Sequence, residues 1–327
     1  MDTNPNLFKY ATKELSQDAF LCWLLEWGDA QYANSDPSMH KAGVHLVNGI
    51  LSKHDIPPVT TPRIEVIKQY KNIDILILLD DKYAILIEDK TDTKEHDDQL
   101  HRYNQTIIEN FPNHNLLRTY VKTGNQSSFS DVERYGFKKF LREDILECLK
   151  AGVAEGVKNN IFIDFLDHIQ SLDNDVKSYK TKPIEEWINE WNPWIGFYEE
   201  LQKHLKDLEW DYVANPNGGF IGAWWHWNEW DGNNVYLQIE QGNLCFKIEV
   251  ENPETRADKR NLWHERLMSM PTGINLKRPT RFGNGNYMTV AYVSLHDWMA
   301  QKNGTINLQG TLANLGQAEN MIDLAIK

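Results

Sequence analysis

The chain is poor in features that would tie it to several functional classes. Its three cysteines, Cys22, Cys148 and Cys245, stand far apart, with neither a Cys-x-x-Cys pair nor a disulfide-rich pattern. They read as small apolar residues in a reducing compartment. No apolar run approaches the ~20 residues that a bilayer span requires, so no membrane partner is expected. The opening MDTNPNLFKYATKELS lacks a basic segment followed by an apolar stretch, and the expectation is a cytoplasmic protein. An excess of basic charge is missing as well. The formal net charge is -13, which argues against non-specific coating of nucleic acid, since such proteins present a basic face that releases counterions. An acidic total still allows a local basic surface and carboxylates gathered to hold metal ions. Neither a Gly-rich phosphate loop of Walker type nor a Gly-x-Ser-x-Gly elbow occurs, so the chain carries no ATP motor of its own.

What is present fits a globular protein of two domains. The 327 residues are 41% hydrophobic and 25% charged, too long a chain for one small core. Residues 14–27 place Leu15, Ala19, Cys22, Trp23 and Glu26 at helical spacing, with Ser16 as cap and Asp18 in the first turn. A second helix is expected over 38–53, ending before Pro57-Pro58. Residues 63–68, 73–79 and 83–89 then read as three adjacent strands joined by short turns. Helical period returns at 96–109, residues 116–122 form a further strand, and 137–150 and 161–172 read as helices. The polar stretch 173–183 reads as a linker. Beyond it tryptophan becomes dense, with hairpins expected around Asn217-Gly218-Gly219 and Gln241-Gly242-Asn243. The expectation is a first domain over 1–175 and a second, Trp-rich α+β domain over 183–327.

The chemistry is concentrated in the hairpin ending YAILIEDKTD, residues 83–92. If Asp80, Asp81 and Lys82 form the turn, Leu79 pairs with Tyr83 and Asp74 lies opposite Glu88, the two side chains on one face with Cβ atoms ~4.5–5.5 Å apart. A like-charged cross-strand pair is destabilising unless a cation or proton sits between the carboxylates. Hard oxygen donors at this spacing suit Mg²⁺ or Mn²⁺. Strand alternation returns Lys90 to the face of Glu88 and turns Asp89 the other way, leaving its backbone carbonyl as a further candidate metal ligand. Two acids for a divalent ion with a lysine beside them are what phosphodiester hydrolysis requires. A two-residue turn would shift the register by one and remove Asp74 from the shared face.

Asp74, then Glu88-Asp89-Lys90 at a strand end, then Gln99 and Tyr103 in QLHRY, resembles the PD-(D/E)XK nuclease superfamily. The chain is similar in particular to a bacterial group that begins with a helix carrying Glu, Ser and Trp-Leu-Leu, here Glu14, Ser16 and Trp23-Leu24-Leu25. The resemblance covers roughly the first half of the chain. It implies an α/β fold, with a restriction-endonuclease-like mixed central sheet flanked by helices. It further implies Asp74 and Glu88 as metal ligands, Lys90 as the catalytic lysine, Glu14 approaching the metal from the first helix, and Gln99 contacting the site or DNA backbone. The proline of the superfamily's name is absent, since Ile73 precedes Asp74.

Plainer readings stand beside these. Glu14 in a first helical turn reads equally as a complement to the helix dipole. Tyr103 is assigned to packing and Gln99 to the site. His96, Asp97 and Asp98 are consecutive on a helix and point in different directions, which reads as a solvated face. His40 and His45 lack partners in sequence and read as surface or packed residues. The segment 223–230, AWWHWNEW, could stack bases but reads as core. Arg256, Lys259, Arg260, Arg266, Lys277, Arg278 and Arg281 form a basic cluster diluted by Glu254, Asp258 and Glu265. Phosphate contact and a mixed solvated surface are both open there. The reading is therefore a Mg²⁺- or Mn²⁺-dependent nuclease acting on DNA, in defence or DNA processing, with RNA open as substrate. Its second domain would serve substrate or partner recognition or self-association as a homodimer. Two rivals are a catalytically silent binder of nucleic acid or protein, and a regulatory component whose function lies in the second domain.

Overall fold

The computed structural model describes residues 5–94, 98–215, 218–240, 242–271 and 273–327. The chain divides into two compact units with the boundary between Asn174 and Asp175.

The first unit opens with α1 (Glu14–Trp27) and α2 (Pro37–Ser52), followed by β1 (Ile64–Tyr70), β2 (Ile73–Leu79) and β3 (Tyr83–Lys90). Then come α3 (Gln99–Asn110), β4 (Asn115–Lys122), α4 (Ser130–Arg134), β5 (Lys138–Leu141), α5 (Arg142–Ala154) and α6 (Asn160–Lys177). The five strands form one sheet in the order β1-β2-β3-β4-β5. The β1-β2-β3 meander is antiparallel, whereas β3, β4 and β5 run parallel, so the sheet is mixed. A parallel neighbour requires a crossover, and α3 supplies it between β3 and β4. The fold expected from the sequence, a mixed central sheet with helices on its faces, is the one observed.

Strand alternation divides the core into two layers. Ile85 and Ile87 share one cluster with Phe20 and Leu24 of α1, Val47 of α2 and Phe165 of α6. Ala84 and Leu86 face a second cluster with Leu100, Tyr103 and Ile107 of α3. Continuing this parity along β3 sends Asp89 toward α1, and Glu88 and Lys90 toward α3. Close approach of α1 and α2 depends on Gly43, where an added Cβ would strike the Gly28 nitrogen and lie 2.5 Å from the Leu24 carbonyl oxygen.

Several local expectations require correction. Lys13 occupies the N-cap position of α1 without a side-chain capping bond, and Ser16 lies inside the first turn rather than capping it. The face that α1 buries carries Phe20, Leu21, Leu24 and Leu25 with Gln17 and Asp18, while Leu15 is exposed. Residues 137–150 are not one helix. Phe140 is buried as part of the edge strand β5, and α5 starts only at Arg142. The linker expected from 173 is helical to Lys177, because buried Asp173 pairs with Arg142 at 3.3 Å and holds the end of α6 to the first unit.

The second unit contains α7 (Trp191–Gln202), β6 (Glu209–Val213), β7 (Phe220–Trp230), β8 (Asn233–Glu240), β9 (Asn243–Glu249), α8 (Arg256–Met268), β10 (Tyr287–Val293), α9 (Leu295–Trp298) and α10 (Leu308–Ala325). Its five-stranded sheet, ordered β10-β9-β8-β7-β6, is antiparallel throughout. Trp194 and Phe197 of α7, Trp263 of α8 and Ile322 of α10 pack with Trp225, Leu237 and Phe246 of the sheet in one core. Asn217 and Gln241, on which two expected turns rest, lie outside the described residues. A bulge between Trp225 and Asn228 resets the alternation of β7. Trp225 is core, but Trp227 is exposed and stacks on Tyr236 with ring centroids 3.9 Å apart.

Candidate active site

The β2-β3 hairpin fixes the geometry. Leu79 pairs with Tyr83 and Ile75 with Ile87, so the turn is Asp80-Asp81-Lys82 and the same register sets Asp74 against Glu88. Asp74 Oδ2 accepts a hydrogen bond from the Asp89 backbone N–H at 3.0 Å, which holds the carboxylate over the strand end. Lys90 Nζ donates to Glu88 Oε1 at 2.5 Å and lies 3.9 Å from Asp74 Oδ2. Asp74, Glu88 and Lys90 thus converge on the α3 face of the sheet.

Burial sets the electrostatics of this cluster. Glu88 is fully buried, and desolvation followed by the Asp74 charge pushes its carboxyl up to about 8, against the opposing pull of Lys90. Desolvation alone would lower Lys90. The Glu88 carboxylate, with Asp74 and Glu14 behind it, outweighs that effect and raises the ammonium above its ordinary value.

The other expected residues are placed as follows. Glu14 accepts from the Thr91 backbone N–H at 3.4 Å and from the Thr93 hydroxyl, tying α1 to the segment after β3. Gln99, at the start of α3, donates from Nε2 to the Tyr103 hydroxyl at 3.0 Å. Tyr103 is buried, and its hydroxyl is raised mainly by burial and further by the Glu88 and Asp74 charges. The Asp89 backbone carbonyl accepts from Lys90 Nζ at 3.2 Å, so its expected role as a metal ligand would compete with the lysine. His96 and Asp97 lie outside the described residues. Buried His40 meets the Trp27 carbonyl oxygen at 3.2 Å, and His45 lies 3.5 Å from Glu155.

Sequence reasoning missed a polar network on the α1 side of β3. Gln17 Nε2 donates to Asp89 Oδ1 at 2.6 Å, and Gln17 Oε1 accepts from the Thr123 hydroxyl at 2.6 Å. Arg142 Nη1 donates to the Thr123 carbonyl at 2.7 Å, which links the network to α5. Buried Asp18 is raised to about 6 by desolvation and then by Asp74, and Asp89 is raised well above the usual carboxylate range by desolvation and then by Asp18. The available signal was the amide-acid pair Gln17-Asp18 directly before the apolar run of α1, where a solvated first turn was the simpler reading.

Among the described residues no group of three or more His, Cys, Asp or Glu side chains gathers as a metal cluster. Asp74 and Glu88 still offer the hard oxygen donors that suit Mg²⁺ or Mn²⁺, which commonly bind through one or two carboxylates and keep several waters. Glu88 Oε2 is buried without a hydrogen-bond partner, an acceptor that a cation or proton would satisfy. The donor set fits a divalent ion.

A family model described as the PD-(D/E)XK nuclease superfamily matches residues 5–170, just over half of the chain. No curated protein and no solved structure matches it.

Proposed function

The chain belongs to the PD-(D/E)XK nuclease superfamily, and from that premise we propose that it is a divalent-metal-dependent nuclease that hydrolyses DNA phosphodiester bonds. The observation that carries the reading is the convergence of Asp74, Glu88 and Lys90, with an unpartnered Glu88 oxygen, at the end of one hairpin. Asp74 and Glu88 would hold Mg²⁺ or Mn²⁺. A bound ion of this kind polarises the phosphate and lowers the pKa of a coordinated water. Lys90 carries its positive charge to the scissile phosphate and orients the attacking water or offsets the charge that develops. Glu14 anchors the strand end beside the site, and Gln99 presents its amide from the start of α3. The nuclease role is assigned to residues 1–175, and recognition of substrate or of a partner, including a second copy of the chain, to residues 183–327. The setting of the reaction is assigned to the cytoplasm, in defence or DNA processing.

The test pairs two measurements on the intact chain. Calorimetric Mn²⁺ titration of wild type and Asp74→Ala is run beside cleavage of linear duplex, supercoiled circular and single-stranded DNA, with RNA as a further substrate. The expected result is metal binding and cutting that disappear together in the variant. Wild type that binds no metal and cuts nothing while folded overturns the reading.

One observation favours a second reading, a silent nuclease fold that binds without turnover. The Lys90 ammonium is engaged by Glu88 and the Asp89 carbonyl at once. DNA affinity that survives Glu88→Ala and ignores divalent ions would support it.

A further inference from the structure

The basic cluster of the second unit separates into cations engaged by the fold and cations left over. Arg256 donates to the Val250 and Glu251 carbonyls at 3.0 Å each, and Lys259 pairs with Asp231. Arg266 donates to the Ala325 carbonyl, and Lys277 bonds Ser294 Oγ at 2.7 Å and Asp297 at 3.1 Å. These four hold α8 and the α8-β10 connection to the rest of the unit.

Arg260 is engaged as well, donating to the Gly283 carbonyl at 2.8 Å and to Asn261 Oδ1 at 3.1 and 3.2 Å, whereas Arg278 and Arg281 are left over. The guanidinium carbons of Arg260 and Arg278 lie 4.8 Å and 4.9 Å from the centre of the Phe282 ring, and the His264 ring meets it edge-on at 5.1 Å. Arg278 and Arg281 are exposed and make no hydrogen bond or ion pair among the described residues. Two guanidinium groups brought to one ring repel each other, and cation–π attraction of order 0.5–1 kcal/mol at exposed sites orders them without neutralising them. An anion between or beside them would.

The local sequence around Arg278 and Arg281 is free of acids. In a chain with 47 Asp and Glu among 327 residues, the stretch 266–296 contains none. On α8, Asp258 lies two positions before Arg260 and Glu265 five after, which at 3.6 residues per turn carries both well round the helix from Arg260. The loop also leaves room for a close ligand, because an added Cβ at Gly283 or Gly285 would meet nothing within 4 Å. Planar guanidinium forks bind phosphate oxygens bidentately, and Asn284 adds an amide group along the loop.

We propose that Arg278, ordered on the Phe282 ring, and Arg281, next to Phe282 in sequence, form a non-catalytic contact for the phosphate backbone of nucleic acid. The inference rests on the nuclease reading for its choice of polyanion, and it gives the second unit a sequence-independent grip on substrate.

The test is fluorescence anisotropy of a labelled DNA duplex with the full chain, in EDTA to prevent cutting, from low to moderate salt. Wild type is compared with the double variant Arg278→Ala/Arg281→Ala, whose melting curve checks the fold. The expected result is a roughly tenfold drop in affinity at low salt, with the slope of log K against log salt shallower by about two, near 0.9 for each phosphate no longer neutralised. The pair Arg278→Lys/Arg281→Lys should keep the slope and recover part of the affinity. Wild type that binds and cuts while the alanine variant has unchanged affinity and slope overturns this assignment and leaves the nuclease reading standing. Polyglutamate competing as well as unlabelled duplex overturns the assignment to phosphate. If wild type cuts nothing but the alanine variant still binds duplex more weakly, the phosphate grip stands and the nuclease reading falls.

Discussion

The Gln17 amide reaches from α1 to donate to Asp89 Oδ1 at 2.6 Å, on the face of β3 opposite the one that presents Glu88 and Lys90. The strand end that carries the site is therefore held from behind by a side chain outside the chemical cluster. Gln17→Ala would leave both Asp89 Oδ1 and the Thr123 hydroxyl without this partner in a buried setting. The expected cost is about 1–3 kcal/mol of stability in the first unit. Denaturant unfolding followed by hydrogen exchange at β3 checks it, and an unchanged β3 would show that the network does not hold the strand.

Glu88 gives the metal-free chain a pH dependence of definite sign. Its carboxyl binds the proton more tightly in the folded chain, at about 8, than at the ordinary 4.5, so its contribution to folding stability is greatest below 4.5 and falls as pH rises toward 8. Asp18, raised to about 6, adds to the same trend at the lower end of that window. Each group contributes at most about 1.4 kcal/mol per pH unit where it is protonated folded and ionised unfolded. Denaturation midpoints in EDTA at pH 5, 6.5 and 8 should decline, and Glu88→Gln should flatten the decline. Mn²⁺ should raise the midpoint more at pH 8 than at pH 5, because metal must displace the proton from Glu88. A midpoint gain independent of pH would mean that Glu88 is not a ligand.

At Gly43 the obstacle is backbone rather than side chain. An added methyl would meet the Gly28 nitrogen and the Leu24 carbonyl oxygen where α1 and α2 cross, and neither can rotate away. Gly43→Ala should cost about 1–3 kcal/mol by forcing the helices apart. The same substitution at Gly316 of α10, where an added Cβ meets nothing within 4 Å, should be neutral or stabilising. Thermal melts of the two variants compare them directly. Equal behaviour would mean that the α1-α2 crossing yields easily.

The hairpin was legible in the sequence because two apolar strands flank the polar turn Asp80-Asp81-Lys82, and that three-residue turn sets the register. The apolar residues of 73–79 and 83–87 fill cores on both faces and do not set it. The extent of α6 was not, because the buried ion pair between Asp173 and Arg142 turns a polar stretch into a helix end, and pairing across 31 positions leaves no local trace. The same holds for Gln17 and Asp18. A polar residue in a first turn looks solvated until the strand that its side chain satisfies is known. Tryptophan was ambiguous for another reason. In 223–230 the bulge after Trp225 sends one ring into the core and leaves Trp227 outside, and no periodic reading anticipates a bulge.

Glu14 separates two roles that the sequence left level. Its carboxylate accepts from Thr91 N–H and from the Thr93 hydroxyl, and it also contributes to the raised state of the Lys90 ammonium. A neutral amide can replace the first function in part but not the second. Glu14→Gln should therefore keep the fold and stay near wild-type melting temperature, while Glu14→Ala should lose about 1–2 kcal/mol with the Thr91 and Thr93 bonds. If the charge serves the site, both variants should weaken Mn²⁺ binding in calorimetry and Glu14→Gln should do so without any loss of stability. A Glu14→Gln chain with wild-type metal affinity would confine Glu14 to anchoring the segment after β3, and would leave Asp74 and Glu88 as the carboxylates that bind the ion.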